Sequence, residues 1–226
     1  MQKLFLFVLL AAGILTLTAC TKNWGEENYD GRDGGAFTPA STEAVTSVTP
    51  SLTLVDGVYR VDASASRLSW RGAMIVGKSH TGVAPIKAGE LNITGGALTG
   101  GRFEIALNEL KSDENIDGLE KHLKSGDFFD AEKFPTATLE INSVQPGQEA
   151  GAYQVGANLT IKGITQPVNF SARLSQEASD LVATADISLD RTAWNIKYGS
   201  GKFFQDLGDK TLSDTITFQV ALRAKK

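Results

Sequence analysis

The chain is poor in the residues from which most chemical sites are built. Its 226 residues include one cysteine and two histidines. The single cysteine, Cys20, excludes a disulfide within the chain, and a zinc site normally draws on more cysteine or histidine side chains at ligand spacing. His80 and His122 are therefore the candidates for a metal site, but hydrogen-bonded structural roles are the favoured interpretation of both.

Basic residues are not in excess, and the signatures of common enzymes are missing. The 22 lysine and arginine residues face 26 acids, for a net charge of −4, which argues against a nucleic-acid partner. No stretch after residue 20 is apolar and long enough to span a bilayer. The run Gly77-Lys78-Ser79-His80 lacks the second glycine of a hydrolase elbow. We therefore predict a protein without catalytic residues, which is not an enzyme.

The first twenty residues have the pattern of an export signal. Lys3 precedes an apolar run at 4–17, which predicts a signal peptide over 1–19. Leu17-Thr18-Ala19-Cys20 resembles the bacterial lipobox, in which the cysteine becomes the first residue and carries lipid. Cys20 is thus the predicted lipid attachment site, and two or three acyl chains would hold the protein stably on a membrane. A plain secretory signal is the alternative.

The lipobox places the protein in the bacterial cell envelope. Because Thr21 is not the aspartate that retains lipoproteins in the inner membrane, the outer membrane is favoured, and the periplasmic or surface orientation stays open. Residues 20–57 are rich in Gly, Ser, Thr, Pro and acids, which predicts a flexible tether. The folded domain is predicted to cover 58–226.

Apolar and polar residues alternate through most of the predicted domain. Leu68-Trp70-Gly72-Met74 and Phe103-Ile105-Leu107 show the period of two that is typical of strands with one buried face. Gly-containing turns separate about eight such runs. The pattern predicts an antiparallel barrel or a sandwich, and alternation alone does not distinguish them.

One segment departs from this pattern. Ile116, Leu119 and Leu123 share a helical face, which predicts one short helical excursion at about 115–125. Three phenylalanines follow directly, so the segment is predicted to form a lid on one end of the β structure. Whether the lid is a gate or a permanent plug stays open. The predicted gate or plug residues are Leu119, Leu123, Phe128, Phe129 and Phe134.

The same segment carries a resemblance to a known family. Its residues Glu120, His122, Leu123, Asp127, Phe128, Phe129, Phe134 and Pro135 match an ordered family signature. Three more motifs occur in the order of the family. One precedes the segment, at 76–82, and two come after it, at 158–168 and 189–196. The chain resembles the YceI-like family, bacterial periplasmic proteins with a lipocalin-like barrel that carries isoprenoid lipids. The resemblance implies an all-β fold, with an antiparallel eight-stranded lipocalin-like barrel.

The resemblance also implies a ligand, a polyisoprenoid or quinone, and no required cofactor. Small residues such as Ala157, Ala172, Ala183 and Ala185 on inward-facing positions would leave room for it. The predicted wall residues, for which ordinary core packing is the alternative, are Trp70, Phe103, Leu159, Phe170, Trp194 and Phe218. The expected partners are an isoprenoid-type lipid and a membrane reached through the acyl anchor, without nucleic acid, and a homodimer stays open.

Two other functions stay open at this point. A barrel filled by its own side chains would make the protein a non-enzymatic structural or stress-response interaction module. A quinone-linked accessory enzyme would need a cofactor site or a catalytic triad, and the sequence offers neither.

Overall fold

A computed structural model of the protein describes residues 54–114 and 116–226. The predicted signal peptide, the attachment site Cys20 and most of the predicted tether lie outside these residues. The described chain is almost entirely β structure. Its strands are β1 (Gly57–Val61), β2 (Arg67–Ala73), β3 (Ser79–Val83), β4 (Ile86–Thr94), β5 (Ala97–Ala106), β6 (Lys111–Ser112), β7 (Thr136–Pro146), β8 (Ala152–Ile161), β9 (Ile164–Glu177), β10 (Asp180–Asp190) and β11 (Thr215–Lys225).

Eight strand positions close into a barrel. The order is β1-β4-β5-β7-β8-β9-β10-β11, and β11 pairs back onto β1 through Val61 opposite Ala224. All of these neighbours are antiparallel. The predicted antiparallel eight-stranded barrel is therefore confirmed, because the ring leaves no free edge between β1 and β11.

At three of the eight positions around the barrel, the chain forms two strands instead of one. β1 shares its position with β2, β4 with β3 and β5 with β6. β2 pairs with β11, and Trp70 lies opposite Phe218 in that pair. The break between β1 and β2 is a 3-10 turn at Ala63–Ala65. Asp62 caps this turn by accepting hydrogen bonds from the backbone N–H groups of Ser64 and Ala65. Alternation did not predict this bend.

The barrel has two different ends. The hairpin end carries the turns at 95–96, 147–151 and 178–179, and the chain enters there, where the N–H of Leu54 donates to the carbonyl of Gly96. The mouth end carries the helix α1 and the loops at 74–78, 162–163 and 191–214. Two clusters of buried apolar side chains, one toward each end, fill most of the space between.

The helix α1 is shorter than the predicted excursion. It covers Leu119–Lys124 and starts after Gly118, whose φ of 80° a residue with a side chain adopts only with strain. Ile116 precedes this turn and is exposed, so only Leu119 and Leu123 of the predicted apolar face turn toward the barrel. Within the described ranges, no helix is long and apolar enough to cross a membrane.

Candidate functional site

A cavity of about 90 Å³ lies inside the barrel toward the hairpin end, and we call it the inner cavity. It owes its space to alanines where the neighbouring inward positions carry larger side chains. Apart from Thr184, every residue that lines it is apolar. The lining residues are Leu68, Ile86, Leu91, Leu98, Phe103, Ile105, Leu139, Ile141, Val155, Phe170, Ala172, Leu174, Ala183, Thr184, Ala185, Ile187, Val220 and Leu222.

A second cavity of about 70 Å³, the middle cavity, continues the inner one toward the mouth end. The two cavities share a ring of four side chains, Leu68, Ile105, Leu139 and Ile187. The middle cavity is lined by apolar residues alone, among them Leu159, Phe218 and Phe129. A shift of the shared ring would join both spaces into one.

A third cavity of about 200 Å³, the mouth cavity, lies between α1 and the barrel. The helix contributes Leu119 and Leu123, and the turn that follows contributes Phe128 and Phe129. Phe129 is buried and lines the middle cavity as well, so its ring separates the two spaces. Inner, middle and mouth cavities thus follow one another along the barrel.

Polar groups in this series of cavities are concentrated at the mouth. The Nδ1 atom of His80 is buried and lies 3.7 Å from Glu114 Oε2, beyond hydrogen-bond distance. Within the described residues this nitrogen has no hydrogen-bond partner. Hydrogen bonds from the Ser112 hydroxyl and the Thr81 N–H keep the pKa of Glu114 below its usual range. His80 thus lines the mouth cavity and carries a buried ring nitrogen without a hydrogen-bond partner among the described residues.

His122, the other metal candidate, lies at the same mouth and is engaged differently. Its Nε2 is 3.1 Å from Asp127 Oδ2, and its ring meets Phe128 and Tyr198 edge-on at 5.0 and 4.6 Å between centroids. Over residues 54–114 and 116–226, no group of three or more His, Cys, Asp or Glu side chains could hold a metal ion. His122 therefore packs with Phe128 and Tyr198 in a cluster of rings at the mouth.

Arg191 fixes the loop that borders the mouth cavity. Its side chain is buried, Nε donates to Ser213 O at 3.0 Å, and Nη1 donates to Ile196 O at 2.8 Å. Its Nη2 lies 3.4 Å from Asp214 Oδ1, and Lys202 bridges Asp214 to Asp190. Burial lowers the pKa of Arg191 from its ordinary value, but a guanidinium stays charged.

Five of the six predicted wall residues line these cavities. Phe103 and Phe170 line the inner cavity, Leu159 and Phe218 the middle one, and Trp70 the mouth. Trp194 lines none of the three. It lies in a 3-10 turn at Arg191–Trp194, where its buried indole N–H donates to Leu159 O at 3.1 Å. The prediction of Trp194 as a wall residue did not anticipate this turn.

Four of the five predicted gate or plug residues line the mouth cavity, and Phe134 does not. Its ring lies over Gly163 in the β8–β9 turn, outside the three cavities. Sequence reasoning missed Met74, Tyr198 and Leu212, which also line the mouth cavity. Met74 continues the alternation of Leu68, Trp70 and Gly72, which is the signal that could have found it. Tyr198 and Leu212 lie in a loop, where no periodic signal marks a side chain that faces the site.

Comparison with known proteins agrees with this architecture at the level of the fold. The chain resembles the crystal structure of Burkholderia cenocepacia BcnA at 21% identity and a TM-score of 0.57, covering 73% of this chain and 99% of that one. It also resembles a structure from Saccharophagus degradans described as a polyisoprenoid binding domain, at 16% identity and a TM-score of 0.59, covering 74% of this chain and 97% of that one.

Relatives are also detected by sequence. The chain is 34% identical over 79 residues to the UPF0312 protein PA0423 of Pseudomonas aeruginosa and 33% identical over 79 residues to the protein YceI of Salmonella arizonae. Each match covers 35% of this chain and 40% of the relative, so the chain spans about two fifths of the length of these relatives. The profile of the YceI-like domain matches residues 59–224, which include every strand but the ends of β1 and β11. By this match over most of its length, the chain belongs to the YceI-like domain family.

Proposed function

We propose that this protein binds one elongated apolar lipid of isoprenoid type, a polyisoprenoid or a quinone, along the axis of the barrel. The observation that carries the proposal is the series of three cavities, in single file, from the hairpin end to the mouth. The residues that line the inner and middle cavities are apolar, with the single exception of Thr184. Narrow apolar cavities that follow one another along the barrel axis suit a slender hydrocarbon chain better than a compact molecule.

The energy of the empty spaces favours such a ligand. An apolar void of this size stays dry, and a residual cavity costs about 24 cal/mol per Å³. For an inner cavity of about 90 Å³, the cost is roughly 2 kcal/mol. A lipid chain that fills the void recovers this cost and gains about 25 cal/mol for each Å² of apolar surface removed from water.

The head group of the ligand belongs at the mouth. His80 Nδ1, buried there and without a hydrogen-bond partner among the described residues, can donate to or accept from a hydroxyl, carbonyl or phosphate oxygen. At the hairpin end, leucines and isoleucines of the buried apolar cluster close the inner cavity. This polarity orients the ligand with its tail toward the hairpin end.

The comparisons support the same class of ligand. The protein of Saccharophagus degradans with the similar fold is described as a polyisoprenoid binding domain. The YceI-like match covers the strands that line all three cavities. We extend the ligand class, and not a particular lipid, from these relatives to this chain.

A barrel filled by its own side chains is the second candidate function. The series of cavities is narrow at two points. Between the inner and middle cavities lie the side chains of Leu68, Ile105, Leu139 and Ile187, and between the middle and mouth cavities lies the aromatic ring of Phe129. If these side chains never move, the barrel is a solid scaffold that presents its loops to a partner. The two candidates differ in one observable, namely whether a lipid enters.

Co-purification tests the proposal. The full chain is purified from its native membrane fraction, extracted with organic solvent, and the extract is analysed by mass spectrometry. We expect one isoprenoid-type lipid in stoichiometric amount, and rebinding of that lipid to the extracted protein. A lipid-free protein that takes up neither polyisoprenoid alcohols nor quinones would favour the filled barrel.

We propose in addition that Cys20 anchors the protein in the bacterial cell envelope, with the outer membrane favoured. The lipobox-like residues before Cys20 support this part, which concerns residues outside the described chain. Mass analysis of the N-terminal peptide from envelope-extracted protein should show Cys20 as the first residue with diacylglycerol and a further acyl chain. An N-terminus at another residue with a free Cys20 thiol would contradict it.

A further inference from the structure

Large apolar side chains are exposed at the mouth end. Ile75 and Val76 are 68% and 61% exposed, and Tyr198, Phe203 and Phe204 are 45%, 47% and 49% exposed. All five lie in two loops, 74–78 and 197–212, which we call the rim loops. Of the other large exposed apolar residues in the described chain, Val55 and Val58 lie toward the hairpin end and Ile116 precedes α1.

The two rim loops form one surface. The N–H of Ile75 donates to Thr211 O at 2.9 Å, and the N–H of Ser213 donates to Ala73 O at 2.8 Å. Met74 and Leu212 form an isolated antiparallel bridge between the loops. Backbone contacts therefore hold the two loops next to each other at the mouth end.

Backbone structure, not disorder, holds the aromatic residues outward. The N–H groups of Phe203 and Phe204 both donate to the carbonyl of Ser200, at 3.1 and 3.0 Å. Ser200 itself is completely buried. Since a well-defined turn fixes their exposure in water, these two rings need a partner outside the described chain to become buried.

The charges of the rim loops indicate the chemistry of that partner. Lys78, Lys197 and Lys210 are exposed, and none of them forms an ion pair within residues 54–114 and 116–226. The Nζ of Lys197 lies 4.7 Å from the ring centroid of Phe203. Lys202 is engaged by Asp190 and Asp214, while Asp206 and Asp209 are the acids of the loops. Aromatic and aliphatic tips flanked by lysines are typical of surfaces that enter an anionic lipid interface.

We propose that the rim loops dock the mouth of the barrel onto an anionic lipid bilayer. The side chains of Ile75, Val76, Phe203 and Phe204 enter the headgroup region, and Lys78, Lys197 and Lys210 meet lipid phosphates. This contact is distinct from the acyl anchor and does not depend on it.

Docking would set the mouth cavity against the bilayer. Met74, Tyr198 and Leu212 belong to the rim loops and also line the mouth cavity. A lipid could then pass between the bilayer and the cavity without crossing water. The rim loops would thus give one end of the barrel a membrane-binding surface, in addition to the ligand site inside it.

Fluorophores at the two ends of the barrel test the proposal. The full chain with Cys20→Ser receives a single cysteine at Val76 in the rim loops or at Ala178 in the β9–β10 turn, labelled with an environment-sensitive dye. Ala178 is exposed at the hairpin end, so it is the matched control. Both proteins are mixed with vesicles of phosphatidylcholine containing 30% phosphatidylglycerol, with and without spin-labelled lipid as a quencher.

We expect the dye at position 76 to shift to shorter wavelength and to be quenched at least threefold more than the dye at 178. Phe203→Ser with Phe204→Ser should remove most of this difference, whereas Val55→Ser with Val58→Ser should leave it unchanged. Equal quenching at both positions overturns the proposal. So does a shift at position 76 that depends on protein concentration without vesicles, since that result assigns the surface to a second copy. Rebinding of extracted lipid in detergent solution, measured on the same variants, tests the proposed function separately.

Discussion

Asp190 ends β10 and stabilises the turn on which the mouth loop is built. Its carboxylate accepts from the N–H and hydroxyl of Thr192 at 2.9 and 2.6 Å and from Lys202 Nζ at 2.7 Å. The hydrogen bond from Lys202, followed by that from Thr192, lowers the pKa of Asp190 to about 2. The charged form is therefore favoured in the folded protein.

Replacing Asp190 by asparagine should change the pH dependence of stability. The folded pKa lies below the ordinary value, so the stabilisation is present above about pH 4 and is lost as the pH falls through 2. Because Asp190 and Lys202 are about half exposed, solvent screening limits the loss in Asp190→Asn to about 1 kcal/mol at pH 7.

Urea unfolding at pH 7, 4 and 2 measures this difference. The difference in the free energy of unfolding between wild type and Asp190→Asn should be largest at pH 7 and should shrink to a small remainder at pH 2. Asp209→Asn is the control, since Asp209 forms no ion pair in the described part of the chain. A difference that is as large at pH 2 as at pH 7 would mean that Asp190 acts without its charge.

Arg191 makes more contacts than a single ion pair would. Its guanidinium satisfies two backbone carbonyls and the carboxylate of Asp214 at the same time. Arg191→Met would leave these acceptors buried without donors, and we expect a loss of about 3–5 kcal/mol in the free energy of unfolding. Arg191→Lys should also destabilise the protein, because one ammonium cannot reach all three acceptors.

Chemical denaturation compares these variants with Arg102→Met. Arg102 and Glu140 form an ion pair at 3.3 Å with both side chains exposed, so its loss should cost less than about 1 kcal/mol. If Arg191→Lys were as stable as wild type, the carbonyl contacts would carry none of the stabilisation.

At the scale of elements, α1 and the turn after it close the mouth of the barrel. Leu119 and Leu123 face the mouth cavity, and Phe129 separates it from the middle cavity. The N–H of Phe129 donates to the last turn of α1 at Leu123 O, 3.1 Å away, which ties the backbone of Phe129 to the helix. A lipid that enters from the mouth must displace this ring.

Phe129→Ala distinguishes a gate from a permanent plug. Removal of a buried phenylalanine should cost about 3–5 kcal/mol, and it joins the mouth and middle cavities. If the ring is the gate, we expect a fluorescent isoprenoid to exchange at least tenfold faster in the variant, as measured by stopped-flow transfer. Phe134→Ala is the control, since Phe134 is a phenylalanine of the same segment that is partly buried and lies outside the cavities. An unchanged exchange rate in Phe129→Ala would indicate a plug.

The elements that the sequence predicted well are those with a strict period. Alternation around Trp70, Phe103 and Phe218 predicted strands with the correct inward faces, because a barrel interior imposes a period of two on every strand. Trp194 was predicted on the wall, but Asp190 caps a 3-10 turn there, and the indole N–H donates to Leu159 O. Tyr198 and Leu212 reach the mouth through loops, whose course depends on Arg191 and not on a local pattern.

At the scale of the whole molecule, the barrel is asymmetric along its axis. Hairpin turns and the start of the described chain lie at one end, and the helix, the histidines and the rim loops lie at the other. The cavities run between the two ends, and their polar lining residues, apart from Thr184, lie at the mouth. A single amphipathic lipid would have the same asymmetry, and this match is the basis for proposing one ligand in one orientation.

Native mass spectrometry of wild type and Ala185→Phe tests whether the interior of the barrel is the binding site. Ala185 lines the inner cavity, and a phenylalanine there would fill most of its 90 Å³ at an overpacking cost of about 1–3 kcal/mol. Ser188→Phe, on the exposed face of the same strand, is the matched control. We expect the wild type and Ser188→Phe to retain an isoprenoid mass that Ala185→Phe, still folded by circular dichroism, loses. A folded Ala185→Phe that binds the same lipid in the same amount would contradict the barrel interior as the binding site.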